Sequence, residues 1–199
     1  MHHLTEGTRR FRENVFPARA ELFRRLATTH RPATLFIGCS DARVVPELIT
    51  QQDPGELFVI RTAGNLVPAH APGTDAVAAG IEYAVAVLGV SDIVICGHSA
   101  CGAMTALAEH HDLTALPSVA GWLRHADAAP ARTAPAPGES AVDALVRANV
   151  HAQLASLATH PSVARALARG TVRLHGWVFD IPTGTVRELT PAATAAPAA

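Results

Sequence analysis

The chain has 199 residues, 49% of them hydrophobic, which is enough to bury one sizeable core and too few for a second full domain. Its formal net charge is -1 and its 16 positively charged side chains are spread along the chain, which argues against nucleic acid and membrane surfaces as partners. No apolar stretch is long enough to span a bilayer, three cysteines make a poor disulfide framework, and we expect a cytoplasmic protein.

The first predicted element is an amphipathic helix over about residues 5–29, with a break or kink near Pro17. Three short apolar runs follow and have the composition of buried strands. They cover residues 34–39, 56–60 and 92–96. A helical segment rich in alanine and valine separates the last two runs and ends at Gly89. Continuous apolar strands that alternate with helices are typical of an α/β fold, with a parallel sheet covered on both faces.

The second half of the chain is predicted to be mostly helical and to end in two more strands. Residues 171–181 and 185–189 are joined by a Pro-Thr-Gly turn, which predicts a hairpin at one edge of the sheet. We treat residues 1–189 as a single domain. The last ten residues, 190–199, are rich in alanine and proline and are predicted to be disordered.

Polar side chains follow two of the predicted strands at the point where each strand ends. Cys39 ends the first strand, and His98 and Cys101 follow the third. Because the carboxyl ends of parallel strands lie at the same edge of an open sheet, we expect these side chains to lie within a few ångström of one another. Two thiolates and one imidazole are a known catalytic zinc set, which leaves the fourth tetrahedral position for water.

Cys96 leaves an alternative open, because a site with three cysteines and one histidine is closed and structural. Cys96 lies inside an apolar run, so we interpret it as a buried strand residue rather than a ligand. His175, in a late strand, is interpreted as a hydrogen-bonded structural residue.

Asp41 and Arg43 follow Cys39 closely and add a second feature. The Asp41 carboxylate either takes the fourth metal position or, held by Arg43, stays off the metal and accepts a hydrogen bond from bound water. The alternative is an ordinary surface ion pair, which would be worth little. A position two residues after a predicted ligand favours the functional interpretation.

Two segments together resemble the motifs of the β-carbonic anhydrases: residues 39–43 (Cys-Ser-Asp-Ala-Arg) and 97–102 (Gly-His-Ser-Ala-Cys-Gly). The similarity runs from the N-terminal helix to Leu189. Segments 54–61 and 175–180 look closest to the plant-like branch of that family, and within it to the bacterial enzyme associated with cyanate degradation.

The resemblance implies a zinc cofactor, four parallel strands with a fifth strand at an edge, an N-terminal helical arm, and a homodimer or a higher oligomer built from dimers. Phe58 and Tyr83 match positions that line the substrate cleft in the plant-like branch, and Gly102 matches a backbone position that approaches bound substrate. Val44 is expected in the same cleft. The glutamine that this branch supplies before the first strand falls on His30, which can still donate one hydrogen bond.

This sequence departs from the family pattern at two further places. Ala42 replaces the usual serine, which removes a hydroxyl but no ligand, so we expect activity to survive. The branch that traps bicarbonate at an inhibitory site uses a Trp, an Arg and a Tyr. Here Phe36 and Arg61 occupy the first two positions and no suitable Tyr is evident, so we predict an open, water-bound zinc at neutral pH, with Asp41 held by Arg43.

The predicted function is the reversible hydration of carbon dioxide to bicarbonate and a proton, by attack of zinc-bound hydroxide. Asp41, oriented by Arg43, is predicted to accept a hydrogen bond from that hydroxide. Two alternatives stay open. One is hydrolysis of carbon disulfide or carbonyl sulfide on the same ligands, and the other is a non-catalytic zinc-binding protein with a closed site.

Overall fold

The structure, a computed structural model, describes residues 2–73, 75–127, 129 and 135–189. The chain divides into two compact units, residues 1–31 and residues 32–199. The predicted disordered segment, 190–199, lies outside the described residues, and a single domain over residues 1–189 stays a prediction.

The N-terminal unit is helical throughout most of its length. Helix α1 (His2–Arg10) leads through a π-helical turn (Phe11–Val15) into helix α2 (Phe16–Leu26). Pro17 is the second residue of α2, and because proline has no N–H to donate, the regular hydrogen-bond ladder cannot continue through this point. The predicted helix and its interruption near Pro17 are therefore both present.

Five strands form one sheet in the larger unit, in the order β2-β1-β3-β4-β5. Their bounds are Thr34–Cys39 for β1, Leu57–Thr62 for β2, Asp92–His98 for β3, Arg173–Asp180 for β4 and Thr185–Leu189 for β5. Strands β1 to β4 are parallel, and β5 pairs with β4 in the antiparallel sense. The predicted α/β fold, four parallel strands with an antiparallel edge strand, is confirmed.

Helices connect the parallel strands, as such connections require. They are α3 (Pro46–Thr50), α4 (Ala76–Glu82), α5 (Gly102–Ala108), α6 (Pro117–Leu123), α7 (Ala141–Ala158) and α8 (Pro161–Ala168). A π-helical segment, Tyr83–Leu88, continues α4 up to Gly89, whose positive φ of 70° ends the helix as predicted.

The two faces of the sheet bury different hydrophobic clusters. Leu35 of β1 and Ile93 of β3 belong to a cluster that includes Val150 of α7. Phe36 and Val94, the next residue in each strand, belong to a separate cluster. Successive side chains of a strand point to opposite faces. The sheet is therefore covered by apolar side chains on both sides.

No helix among the described residues is both long and apolar enough to cross a membrane.

Candidate metal centre

Three side chains meet at the carboxyl ends of two neighbouring strands. The sulfur atoms of Cys39 and Cys101 and a ring nitrogen of His98 all lie within 4.8 Å of one another, and all three residues are buried. In the part of the chain that the structure describes, this is the one group of three or more His, Cys, Asp or Glu side chains with such spacing. The prediction that these residues come together is confirmed.

The sheet explains how residues far apart in sequence converge. Cys39 is the last residue of β1 and His98 is the last residue of β3, and the two strands pair in parallel. The chain then turns through Ala100, which has a positive φ of 52°, and returns Cys101 just before α5 begins at Gly102. Parallel pairing and one tight turn therefore assemble the group.

His98 presents a free nitrogen to the two sulfur atoms. Its Nδ1 lies 2.9 Å from the carbonyl oxygen of Ser99, and because a carbonyl can only accept, Nδ1 must carry the proton. Its Nε2 is buried and has no hydrogen-bond partner in the described part of the chain. A buried polar atom without a partner is costly. A metal ion is the natural partner for such a nitrogen, since metal-binding histidines commonly donate their other N–H to a backbone carbonyl.

The two neighbouring thiols have pKa values shifted in opposite directions. A hydrogen bond from Cys101 lowers the pKa of Cys39 well below its usual range, although burial acts in the opposite direction. The hydrogen bond with Cys39 and burial both raise the pKa of Cys101. A cation bound between the two sulfur atoms would favour the thiolate form of both.

Asp41 and Arg43 form a two-point ion pair beside this group. Arg43 Nε donates to Asp41 Oδ1 at 3.0 Å and Nη2 donates to Oδ2 at 2.7 Å, while the Arg43 backbone N–H also donates to Oδ1. Arg43 thereby holds the pKa of the Asp41 carboxyl well below its usual range. Asp41 Oδ2 lies 3.9 Å from His98 Nε2, so the carboxylate faces the donors without joining their cluster.

Arg61 organises the turn that carries Asp41, and the sequence motifs did not reveal this role. It donates from Nε to the carbonyl oxygen of Cys39 at 3.0 Å and from Nη2 to those of Asp41 and Val44 at 2.6 and 2.7 Å. The sequence did offer one signal for this role: Arg61 is a charged residue within a mostly apolar strand. In the sheet it pairs with Gly38, the residue before Cys39.

Cys96 stands apart from the three donors. It is fully buried in the hydrophobic cluster of Phe36, Val44 and Phe179, and burial raises its pKa to about 12. It is not a member of the donor group. The structure therefore places it as the buried strand residue that the sequence predicts. His175 likewise lies 2.8 Å from Asp92, within a hydrogen-bonded pair away from the donors.

The residues predicted to line the substrate cleft differ in how exposed they are. The rings of Phe58 and Tyr83 lie 6.0 Å apart, and Tyr83 is 44% exposed. Gly102 is exposed at the first turn of α5. Val44 is fully buried, so in this chain it offers no surface to a substrate. His30 belongs to the N-terminal unit, and its role stays a prediction.

The donor set fits a zinc ion on chemical grounds. Two sulfur ligands and one imidazole suit zinc, and because Asp41 is tied to Arg43, a zinc ion held by these three residues would have room for a small molecule as its next ligand. The unpartnered His98 Nε2 is the observation that most directly calls for a cation.

Comparison with known proteins gives a consistent result. A family model described as carbonic anhydrase matches residues 34–186. The chain is 57% identical over 192 residues to a carbonic anhydrase of Pseudomonas aeruginosa, covering 95% of this chain and 87% of that protein. It is 53% identical over 189 residues to carbonic anhydrase 1 of Escherichia coli O157:H7, covering 94% and 86%.

Solved structures agree with these sequence matches. The β-carbonic anhydrase CcaA matches with a TM-score of 0.87 at 37% identity, covering 98% of this chain and 93% of that one. A structure from the study of two tetrameric β-carbonic anhydrases of Sordaria macrospora matches with a TM-score of 0.78 at 34% identity, covering 94% and 95%.

Proposed function

This chain belongs to the β class of carbonic anhydrases, and from that premise we propose that it hydrates carbon dioxide reversibly to bicarbonate and a proton, with zinc as cofactor. The observation that carries the proposal is the donor group itself. The donor atoms of Cys39, His98 and Cys101 lie within 4.8 Å of one another, and the buried His98 Nε2 has no hydrogen-bond partner among the described residues.

Cys39, His98 and Cys101 are the residues that would hold the zinc ion. Zinc in three-histidine carbonic anhydrases lowers the pKa of water to about 7, and the same Lewis-acid chemistry is what a zinc ion would supply here. Two thiolate ligands balance the charge of the ion, and the Nδ1 contact to Ser99 fixes the His98 tautomer that leaves Nε2 free to bind.

Asp41 is proposed to orient the attacking water. Because Arg43 keeps the Asp41 carboxyl ionised, its oxygens can accept a hydrogen bond but have no proton to donate. Oδ1 already accepts two hydrogen bonds from Arg43, which leaves Oδ2, on the side of His98, to accept from the reacting water. Such a contact fixes the direction in which the water presents its lone pair.

Arg43 is proposed to keep Asp41 off the metal. Besides its two contacts to the carboxylate, its Nη2 donates to the carbonyl oxygen of Ala100 at 3.1 Å, just before the ligand Cys101. Arg43 thus connects the Asp41 carboxylate, which follows the ligand Cys39, to the backbone just before the ligand Cys101. This arrangement supports the predicted open state of the site at neutral pH.

A small apolar substrate is proposed to lie near Phe58 and Tyr83, whose rings contact each other. Gly102 begins the helix that follows the ligand Cys101 and leaves open space around its Cα, so the backbone there is accessible. The roles predicted for His30 and Val44 stay predictions, and the burial of Val44 makes it the weaker of the two.

Neither alternative function is favoured by an observation. The relatives reported above are carbonic anhydrases, which gives no support to carbon disulfide or carbonyl sulfide hydrolysis. A closed structural site would need a fourth protein ligand, and both candidates are engaged elsewhere: Cys96 in a separate cluster and Asp41 with Arg43. Placement in the plant-like branch, near the cyanate-associated enzyme, stays a prediction.

We also propose that the chain forms a homodimer or a higher oligomer built from dimers. The likeness to tetrameric β-carbonic anhydrases of Sordaria macrospora supports this proposal. A cytoplasmic location remains a prediction from the sequence.

The test is stopped-flow hydration of carbon dioxide together with zinc content, across roughly pH 6.5 to 9. We expect about one zinc ion per chain and rapid hydration that is lost on chelation and restored by zinc. Carbon disulfide hydrolysis is measured in parallel. A zinc-loaded protein that leaves carbon dioxide unchanged throughout this range would contradict the proposal, and turnover of carbon disulfide alone would favour the first alternative.

A further inference from the structure

The loop after β2 contacts a metal ligand through its backbone. Its first turn is a 3-10 turn, Ala63–Asn65, and the Gly64 N–H donates to Cys39 Sγ at 3.4 Å. Gly64 has a positive φ of 71°, and a Cβ there would lie 3.0 Å from Ala103 Cβ and 3.3 Å from Met104 Cε. Glycine is therefore needed to bring this peptide so close to the thiolate.

The peptide unit that donates to Cys39 is held at its other end by Trp122. The indole Nε1–H of Trp122 donates to the carbonyl oxygen of Ala63 at 2.9 Å. That carbonyl and the Gly64 N–H belong to the same peptide group, so the group accepts at one end and donates to sulfur at the other. Hydrogen bonds in such a chain polarise and strengthen one another.

Asn149 of α7 holds the next peptide unit. Its Nδ2 donates to the carbonyl oxygen of Gly64 at 3.0 Å, and the Asn149 side chain is buried. With Trp122 on one carbonyl and Asn149 on the following one, the backbone on both sides of Gly64 is fixed in direction.

Gln153, one turn further along α7, fixes the orientation of Asn149. Its Oε1 accepts from the Val67 N–H at 2.7 Å, and its Nε2 donates to the carbonyl oxygen of His125 at 3.1 Å and to Asn149 Oδ1 at 2.9 Å. A backbone N–H only donates and a carbonyl only accepts, so this amide has one satisfactory orientation. Asn149 must then turn its NH₂ group toward Gly64.

We propose that Trp122, Asn149 and Gln153 are positioning residues of the metal centre, which act on Cys39 through the Ala63–Gly64 peptide. The inference rests on the proposed function only in taking Cys39 as a metal ligand. Burying two amide side chains in the core is costly unless their polar atoms are hydrogen-bonded, and in this network the amide nitrogen and oxygen of both side chains have partners.

The N–H donor to Cys39 acts on the metal in two ways. It restricts the direction in which the sulfur lone pairs point, and it reduces the negative charge that the sulfur donates to the ion. Outer contacts of this kind typically change metal affinity by about 10- to 100-fold. Weakening the network leaves the direction of the sulfur lone pairs unfixed, and we expect this loss of orientation to outweigh the stronger donation and to loosen zinc without removing a ligand.

Trp122→Phe is the decisive variant, because it keeps an aromatic ring and removes the single N–H that holds Ala63. We expect zinc to be lost to a competing chelator about 10-fold faster than from the native chain. In the cobalt-substituted protein, the thiolate-to-cobalt absorption band should move to lower energy, because a sulfur that loses part of its N–H bond is a stronger donor. A purely structural role for Trp122 would leave that band in place.

Trp177→Phe is the matched control. Trp177 is the other tryptophan of the chain, and it packs against Phe36 in a different hydrophobic cluster. We expect its zinc release and its cobalt spectrum to match those of the native chain. Asn149→Ala, with folding checked by circular dichroism, should release zinc faster than Trp122→Phe because it removes both the donor to the Gly64 carbonyl and the acceptor of one Gln153 N–H.

The outcomes separate this proposal from the proposed function. If the native chain holds zinc and Trp122→Phe shows unchanged release and an unchanged cobalt band, the positioning role is overturned while the metal centre stands. If the native chain fails to bind zinc or cobalt, both are overturned. Should Asn149→Ala fail to fold, the comparison of Trp122→Phe with Trp177→Phe still tests the positioning role.

Discussion

Strand β3 has an aspartate, an arginine and a histidine grouped at each of its ends. At its amino end, Asp92 accepts from Arg173 Nε and Nη2, both at 2.8 Å, and His175 Nε2 lies 2.8 Å from the same carboxylate. At its carboxyl end, the Asp41 carboxylate accepts a similar two-point contact from an arginine and lies near His98. The residue types are alike, and their chemistry differs.

The two ends differ in whether the histidine has a ring nitrogen without a hydrogen-bond partner. The His175 nitrogen is satisfied by Asp92, and the group is partly open to solvent, with Arg173 73% exposed. His98 is fully buried, its Nε2 has no partner, and two thiols lie beside it. At the amino end of the strand, the ion-paired carboxylate and the histidine therefore form a structural contact. At the carboxyl end, the same residue types can form a metal centre because the free histidine nitrogen lies next to sulfur donors.

Removing a sulfur donor should have the largest effect. We expect Cys39→Ser to bind less than about a tenth of the native zinc and to lose carbon dioxide hydration by about 1000-fold or more, because a catalytic zinc needs its three protein ligands. Zinc content by atomic emission and stopped-flow hydration give the two measurements.

Cys96→Ala is the control for the sulfur donors, since Cys96 is equally buried but lies in a separate cluster. It should keep native zinc content and lose about 1 kcal/mol of stability from the small cavity. Loss of zinc from this variant would contradict the assignment of the ligands.

Arginine substitutions at the two ends should separate catalysis from stability. We expect Arg43→Gln to lower kcat/KM for hydration by about 10- to 100-fold, because the freed Asp41 carboxylate turns toward the metal. Arg173→Gln at the other end should change kcat/KM by less than about twofold. Equal losses in the two variants would show that the arginine pairs act only through the fold.

The smallest predicted effect concerns the stability of the fold at acid pH, which depends on the Asp92 group at the amino end of β3. Arg173 lowers the pKa of Asp92, with smaller contributions from His175 and Ser91, so the folded chain binds its proton less readily than the unfolded chain. A lowered carboxyl pKa stabilises the fold above the unfolded value of about 3.9, and this stabilisation is lost as the pH falls through the folded value.

Asp92→Asn should therefore lower the free energy of unfolding at pH 7 by about 1 kcal/mol, a modest figure because Arg173 is largely exposed. The difference from the native chain should shrink below about pH 4. Urea unfolding of both proteins at a series of pH values measures this difference in the free energy of unfolding. A difference that grows as the pH falls would contradict the lowered pKa of Asp92.

Residues close to a strand end were predictable from the sequence, and residues that act across the fold were not. Cys39, Asp41 and Arg43 lie within five positions, and His98 and Cys101 within four, so short motifs at two apolar runs were enough to assemble the donors. The parallel order of the strands followed from the same runs, because continuous apolar strands need cover on both faces.

The supporting residues depend on contacts that no local pattern carries. Gly64 reaches Cys39 across 25 positions, Trp122 reaches Ala63 across 59, and Asn149 reaches Gly64 across 85. In the sequence, a polar residue such as Asn149 on a helix is expected to face solvent, and only the folded packing of α7 against the loop after β2 makes it part of the site.

The cleft role predicted for Val44 stays a prediction, and the structure shows how this residue is placed. The backbone N–H of Val44 donates to the carbonyl oxygen of Asp41 at 3.0 Å. That turn directs Val44 into the cluster of Phe36 and Phe179, where it is fully buried.

The most direct single measurement is stopped-flow carbon dioxide hydration, with zinc content, for Asp41→Asn and Asp92→Asn side by side. We expect the first variant to keep its zinc and lose about 100-fold or more in kcat/KM, because an amide cannot replace the carboxylate that orients the water. The second variant should stay within about twofold of the native chain. A zinc-loaded Asp41→Asn that hydrates carbon dioxide at the native rate, or an equal loss in Asp92→Asn, would contradict the functional difference between the two ends of β3.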